Sequence, residues 1–306
     1  MDDVKLPLQY YRYLIIAGTT KAGTTSLFNW LAKHPEVSAS FRKETNFFLD
    51  KEWKNPSIYR YEDGIEKYGT NYSYSLVEKL YIEASPDYLY SQGTPLKIFN
   101  SLPKAKILFI LREPFSRLIS WHKFAKQIGV ISQNLTFDDF ITQQSQNTGS
   151  AKPNILEQGL YSKYLARYFE IFDSNRIKVI FFEELAGNPL EVMKDICKFC
   201  EIDPEFYNNF QFEIFNKTEQ MRFIKVHEIY ITIRKNLSLK APRIYIRFKK
   251  IWDYFKPLYI RLISIKDHEI IVSKQARKNI FDYYSHEINN LESLLKQPIP
   301  WRTEKW

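Results

Sequence analysis

Two cations and a carboxylate, each close to the end of an apolar run or a short loop, are the residues best placed to do chemistry in this 306-residue chain. Lys21 lies in GTTKAGTTS, Gly18 to Ser26, between the apolar run Tyr13 to Ala17 and the amphipathic LFNWLAKH. A small-residue loop between a strand and a helix amino terminus offers several backbone N–H groups to an anion, and the helix dipole reinforces them. Arg112 ends a second apolar run in KAKILFILREPFSRLISWHKF, and Ser120 follows on the second turn of the next helical segment. A guanidinium there can hold a phosphate through two hydrogen bonds, with the serine hydroxyl adding another. Taken alone, Arg112 also reads as a strand-end salt bridge to Glu113. In SASFRKETNFFLD, Lys43 and Glu44 precede Phe47 and Phe48. A carboxylate beside apolar rings loses solvation, which raises its pKa toward the range useful for taking a proton.

The phosphate loop departs from the nucleotide-triphosphatase pattern, in which a lysine follows the second glycine. Here Lys21 precedes Gly23, and Thr24 stands where that lysine would be. No requirement for Mg²⁺ follows, and no acid of the Walker-B kind closes an apolar run.

These residues need a scaffold, and the hydrophobic pattern supplies one. The runs Tyr13 to Ala17, Leu80 to Ala84, Ile107 to Leu111 and Ile177 to Phe182 are apolar nearly throughout, as strands covered on both faces should be. Helical periodicity alternates with them at Thr25 to Lys33, Pro95 to Asn100, Phe115 to Lys126, Phe137 to Gln143, Glu157 to Ile171 and Pro189 to Cys200. The alternation predicts an α/β fold around a central parallel sheet. Beyond about residue 217 the pattern is helical, with no strand of comparable quality, so a helical carboxyl-terminal elaboration is expected. The organisation read here is a core over 1–222, a basic aromatic helical insertion over 223–272, and a terminal helix and tail over 273–306 that packs on the core.

Composition fits one elaborated globular domain: 44% hydrophobic, 26% charged and only 9 glycines. The start of the chain reads as neither a signal peptide nor a membrane anchor. Cys197 and Cys200 fall at helical spacing and read as reduced core thiols, which implies a reducing, cytoplasmic setting. The net charge of +9 is concentrated between Arg234 and Lys266, where Lys and Arg greatly outnumber the single acid, Asp253. This segment, residues 234–266, reads as a helical subdomain with solvated charges, or as an amphipathic surface for peripheral contact with a membrane or an acidic polymer. No nucleic-acid-binding module is recognisable.

TTKAGTTSLFNWLAKHPEV resembles the 5′-phosphosulfate loop of sulfotransferases that use 3′-phosphoadenosine-5′-phosphosulfate (PAPS), above all the heparan-sulfate sulfotransferase type and its bacterial relatives. The resemblance runs over residues 12–222 and resumes near FDYYSHEINNLESLLKQPIPW. It implies a P-loop-like three-layer sandwich with PAPS as donor, PAP as product and no metal. Lys21 would contact the 5′-phosphate and bridging oxygen, and Ala22, Gly23, Thr24, Thr25 and Ser26 would bind the phosphate. Arg112 and Ser120 would take the 3′-phosphate, which ATP lacks. Glu44, in a Lys-Glu-x-x-Phe-Phe signature, would be the general base, with Lys43 assisting. Tyr161 would line the site, and Lys217 and Arg222 would belong to a basic lid.

The chain also departs from that family. In YIEASPDYLY, Ala84 stands where animal members carry a lysine, leaving Glu83 and Ser85 as polar contributors or strand-end structural residues. No cysteine is available to close the lid with a disulfide. His34 is expected to end the first helix and His122 to pack near Ser120; His122 is the alternative base, since cytosolic small-molecule sulfotransferases use a histidine. The implied reaction is sulfuryl transfer to a hydroxyl or amine of a carbohydrate or glycolipid. The rival readings are a nucleotide kinase or NTPase, and a non-catalytic nucleotide-binding protein held at membranes.

Overall fold

The first strand shows how this chain builds three layers. In the computed structural model, which describes residues 7–74, 78–147, 150, 152–215, 220–221, 264–265 and 270–301, β1 (Tyr13–Gly18) is buried along its whole length. Alternate residues go to opposite faces. Tyr13, Ile15 and Ala17 enter one hydrophobic cluster, and Leu14 and Ile16 enter another. The strand therefore needs a helical layer on each side.

Four more strands complete the sheet: β2 (Val37–Ala39), β3 (Leu80–Ala84), β4 (Lys106–Leu111) and β5 (Ile177–Phe181). All pairings are parallel, in the order β2-β3-β1-β4-β5. One face packs on α1 (Thr24–Leu31) and α8 (Pro189–Cys200) through Leu27, Leu31, Met193 and Ile196. The other is covered by α3 (Thr94–Ser101), α6 (Tyr161–Ile171) and α10 (Glu287–Leu295) through Ile98, Leu165, Tyr168 and Leu291. Helices α2 (Glu66–Gly69), α4 (Pro114–Gln127), α5 (Phe137–Gln146), α7 (Phe182–Gly187) and α9 (Lys274–Tyr284) complete the helices described.

The four strands expected from the sequence are present to within one residue at each end. The short edge strand β2 carries too little apolar pattern to be read in advance. The carboxyl-terminal third also departs from the all-helical expectation: β6 (Gln220–Met221) pairs antiparallel with β7 (Ser264–Ile265). Two-residue strands have no detectable period, which is why the sequence pattern misses them.

Contacts divide the chain into two compact units, one of residues 1–117, 147–216 and 279–306, the other of residues 118–146 and 217–278. The sheet and both hydrophobic clusters belong to the first. In the second, α5 places Phe137 and Phe140 against His122 of α4. Most of the expected insertion, 223–272, lies outside the described residues.

Candidate active site

The strand order places β1 centrally, with the chain leaving it toward β3 on one side and returning at β4 on the other. In open α/β sheets the crevice for ligands forms at the carboxyl ends of strands where the order switches in this way. Gly18, Ala84 and Leu111 end β1, β3 and β4, so the segments carrying Lys21, Ser85 to Asp87, and Arg112 all leave the sheet at that edge, next to Glu83 at the end of β3.

The first loop is set by its glycines and by one left-handed lysine. Lys21 has φ 66° and Gly23 has φ 90°. At Gly23 a Cβ would stand 3.2 Å from the Phe182 ring, so both backbone angle and space favour glycine. Gly23 is also the N-cap of α1, and among the described residues no side chain caps the helix there, a helix start suited to meeting an anion. Ala22, Thr24 and Ser26 are buried, and the Ser26 hydroxyl accepts the Phe215 N–H at 3.1 Å. The chain just before Lys217 is thereby tied to this loop; Lys217 and Arg222 themselves lie outside the described residues.

Arg112 meets this loop directly. Its Nη1 donates to the Lys21 carbonyl at 3.1 Å, and its guanidinium lies 4.5 Å from the Phe182 ring centroid, while Nε is buried with no hydrogen-bond partner among the described residues. The expected alternative, a salt bridge to Glu113, does not form. The Glu113 carboxylate instead accepts the N–H groups of Phe115 and Ser116 at 2.8 and 2.7 Å and caps α4. Burial, and then the nearby Arg112 charge, lower the Lys21 ammonium to about 8. Two half-buried cations this close are mutually repulsive until an anion arrives.

Tyr161 does not line an open site. It is fully buried, and its hydroxyl donates to the Arg112 carbonyl at 2.7 Å, which fixes the backbone behind the guanidinium. Ser120 lies further along α4, in the second unit. His122 is buried there, with Nε2 3.1 Å from the Leu135 carbonyl oxygen, and burial lowers it to about 4.

The loop before β3 behaves differently from its expectation. Phe47 and Phe48 are buried in the core, while the Glu44 side chain is 49% exposed and pairs with Lys43 at 3.0 Å. The rings therefore anchor the loop and do not desolvate Glu44. The carboxyls removed from water lie on the neighbouring segment. Glu83 is fully buried, and burial raises it to about 7. Asp87 is raised by burial too; its Oδ2 accepts from Asn55 Nδ2 at 2.6 Å, with Lys152, Glu44 and Lys43 in electrostatic range. Sequence reading overlooked Asp87, because a single acid in a turn resembles any solvated loop residue.

Comparison with known proteins converges on one family. The family described as "Sulfotransferase domain" matches residues 12–245. The chain is 31% identical over 197 residues to the bifunctional heparan sulfate N-deacetylase/N-sulfotransferase 2 of Bos taurus, and 30% identical to that of Homo sapiens. Each match covers 62% of this chain and 22% of the relative, so the chain corresponds to about a fifth of those proteins' length. The crystal structure of a sulfotransferase from Alicyclobacillus acidocaldarius matches with a TM-score of 0.63 at 21% identity, covering 94% of this chain and 96% of that one.

Proposed function

Since this chain belongs to the sulfotransferase domain family, we propose that it moves the sulfuryl group of PAPS to a hydroxyl or amine of a carbohydrate. The observation that carries the reading is the approach of Arg112 to Lys21 across an uncapped helix amino terminus, at the sheet edge where ligands bind. That set fits the donor: the Lys21 ammonium, the α1 N–H groups and the Thr24 to Ser26 hydroxyls suit the 5′-phosphosulfate, and the partnerless Nε of Arg112 suits the 3′-phosphate. When bound, the donor supplies an electrophilic sulfur and a phosphate leaving group.

The residues of the chain then have separable tasks. Lys21 and the loop amides neutralise the charge that grows on the leaving phosphate. Glu44, exposed and hence reachable, takes the proton of the acceptor O–H or N–H as the new bond to sulfur forms and the sulfur–oxygen bond to the phosphate breaks. Lys43 holds the Glu44 carboxylate in place. A heparan-like amine or hydroxyl is the acceptor that the relatives' names support. The basic stretch 234–266 supports an acidic polymer or anionic membrane as its setting, and the buried thiols of Cys197 and Cys200 support a reducing, cytoplasmic one.

Calorimetry with PAP and with ATP, each with and without Mg²⁺, tests the reading. PAP is expected to bind without metal and ATP to bind weakly. Binding of ATP with Mg²⁺ and not of PAP would assign the loop to a kinase or NTPase.

A further inference from the structure

Three consecutive backbone N–H groups of the loop that carries Glu44 are satisfied in an unusual way. Asn46 N–H donates to Ser85 Oγ at 3.1 Å, Phe47 N–H to Thr45 Oγ1 at 3.3 Å, and Phe48 N–H to the Tyr88 hydroxyl at 3.1 Å. Each acceptor is a hydroxyl, and each must pass its own proton on. Ser85 donates to Glu83 Oε2 at 3.0 Å, and Thr45 donates to the same oxygen. Tyr88 lies 3.2 Å from Thr45 Oγ1, and the Tyr68 hydroxyl donates to Glu83 Oε1 at 3.1 Å. Every chain of donors ends on one buried carboxyl.

We propose that Glu83 is the positioning residue of the proton-accepting loop, its ionised carboxylate being the common acceptor that fixes Thr45 to Phe48 and hence the backbone bearing Glu44. The proposal rests on the sulfotransferase reading for its functional consequence and on the network for its structural one. An ionised carboxylate accepts at both oxygens and donates at neither, which is what converging hydroxyls require. A glutamine would place an N–H₂ group against hydroxyls already committed as donors, reverse at least one of them, and strand a loop N–H.

Glu83 is an expensive choice for a scaffold. Among the described residues no cation bonds to it; the groups facing it are Thr45, Ser85, Tyr68, Tyr72, Tyr88 and Tyr168, and burial raises it to about 7. Its folded-state pKa lies above the unfolded one. Its contribution to stability is therefore complete below about pH 4.5 and is lost as pH rises toward 7. A residue kept for stability alone would not be an unpaired buried acid.

The test compares the full chain with Glu83→Gln and needs no acceptor for its first reading. Amide hydrogen exchange of Asn46, Phe47 and Phe48 is expected to speed up at least tenfold in the variant. Amides of β1 and α1 should keep their protection, PAP affinity should stay unchanged, and the melting temperature above pH 7 should be no lower than in the parent. Sulfate transfer from PAPS to de-N-acetylated heparosan should then fall at least tenfold in kcat with the KM for PAPS unchanged. The parent should show an acid limb near pH 7 that the variant lacks. Unchanged protection at residues 46–48, or an equal loss across the whole sheet, overturns the positioning role. Absence of PAP binding in the parent would instead overturn the functional reading and leave the exchange result to decide the structural claim.

Discussion

The loop at Gly18 to Ser26 and the loop at Ser40 to Asp50 face the same edge of the sheet, yet they are held by different means. The first is set by local backbone: a left-handed Lys21, a glycine at φ 90° and the start of α1. The second is held by residues far away in sequence: Ser85 and Tyr88 accept its N–H groups directly, Tyr68 acts through Glu83, and the Lys43 carbonyl accepts from the Ala84 N–H at 2.9 Å. The first loop gathers cations and the second gathers carboxyls. On the proposed reading, the loop that meets the donor is a run of consecutive residues joined by Arg112 from the end of β4, whereas handling of the acceptor proton depends on the sheet having formed.

The sharpest way to break this division is Glu44→Gln. A positioned base contributes about 10²- to 10⁴-fold in rate, so kcat for sulfate transfer should fall by that order while PAP affinity stays unchanged. If calorimetry finds PAP affinity reduced along with rate, the two loops are not separable. Wild-type turnover in the variant would remove Glu44 from the chemistry altogether.

The converse change is Arg112→Ala. Hydrogen bonds to a charged group contribute about 1.5–3 kcal/mol, so PAP should bind roughly ten- to a hundredfold more weakly. Arg112→Lys should recover little, because an ammonium lacks the planar fork and cannot stack on Phe182 in the same way. An affinity unchanged by Arg112→Ala would mean that the guanidinium serves only to hold the Lys21 carbonyl.

The same division explains what could be read from the sequence. β1, β3, β4 and β5 announce themselves as nearly continuous apolar runs, interrupted by Glu83 in β3, Lys106 in β4 and Lys178 in β5; β2 has three residues and does not. Lys21, Gly23 and Arg112 were legible because a strand, a loop and a helix follow one another with no gap. Glu83 is legible only as a polar contributor or strand-end structural residue, and Asp87 not at all, since their surroundings depend on Thr45, Tyr68 and Asn55 arriving from other segments. The Phe47 and Phe48 rings were read as desolvating Glu44. Their burial points them into the core, and it is Glu83 that loses water. Glu113, the alternative partner for Arg112 taken alone, instead accepts the N–H groups of the first turn of α4.

A smaller effect sharpens the donor side. Lys21 is lowered to about 8 by burial and by Arg112, and an anion binds its charged form better. PAP affinity should therefore hold from pH 7 to 8 and then decline, by about tenfold between pH 7 and 9. In Lys21→Arg the slope above pH 8 should disappear. A slope that persists in that variant would assign the titration to another group.

The smallest effect is expected at His122, and it guards the comparison from the other side. A base must be reachable and must cycle its proton near neutral pH. This imidazole is buried against Phe137 and Phe140, bonded to the Leu135 carbonyl and lowered to about 4, so it stays neutral across the working range. Because its folded pKa lies below the unfolded value of 6.5, its contribution to stability is present above that pH and is lost as pH falls toward 4. His122→Gln should consequently change kcat by less than about threefold, whereas a lost buried hydrogen bond costs about 1 kcal/mol and should lower the melting temperature slightly. Parent and variant should converge in stability as the pH drops below 6, where the parent must begin to charge a buried ring. A loss of rate as large as that expected for Glu44→Gln, with folding intact, would move the base to α4 and leave the Ser40 to Asp50 loop with acceptor binding alone.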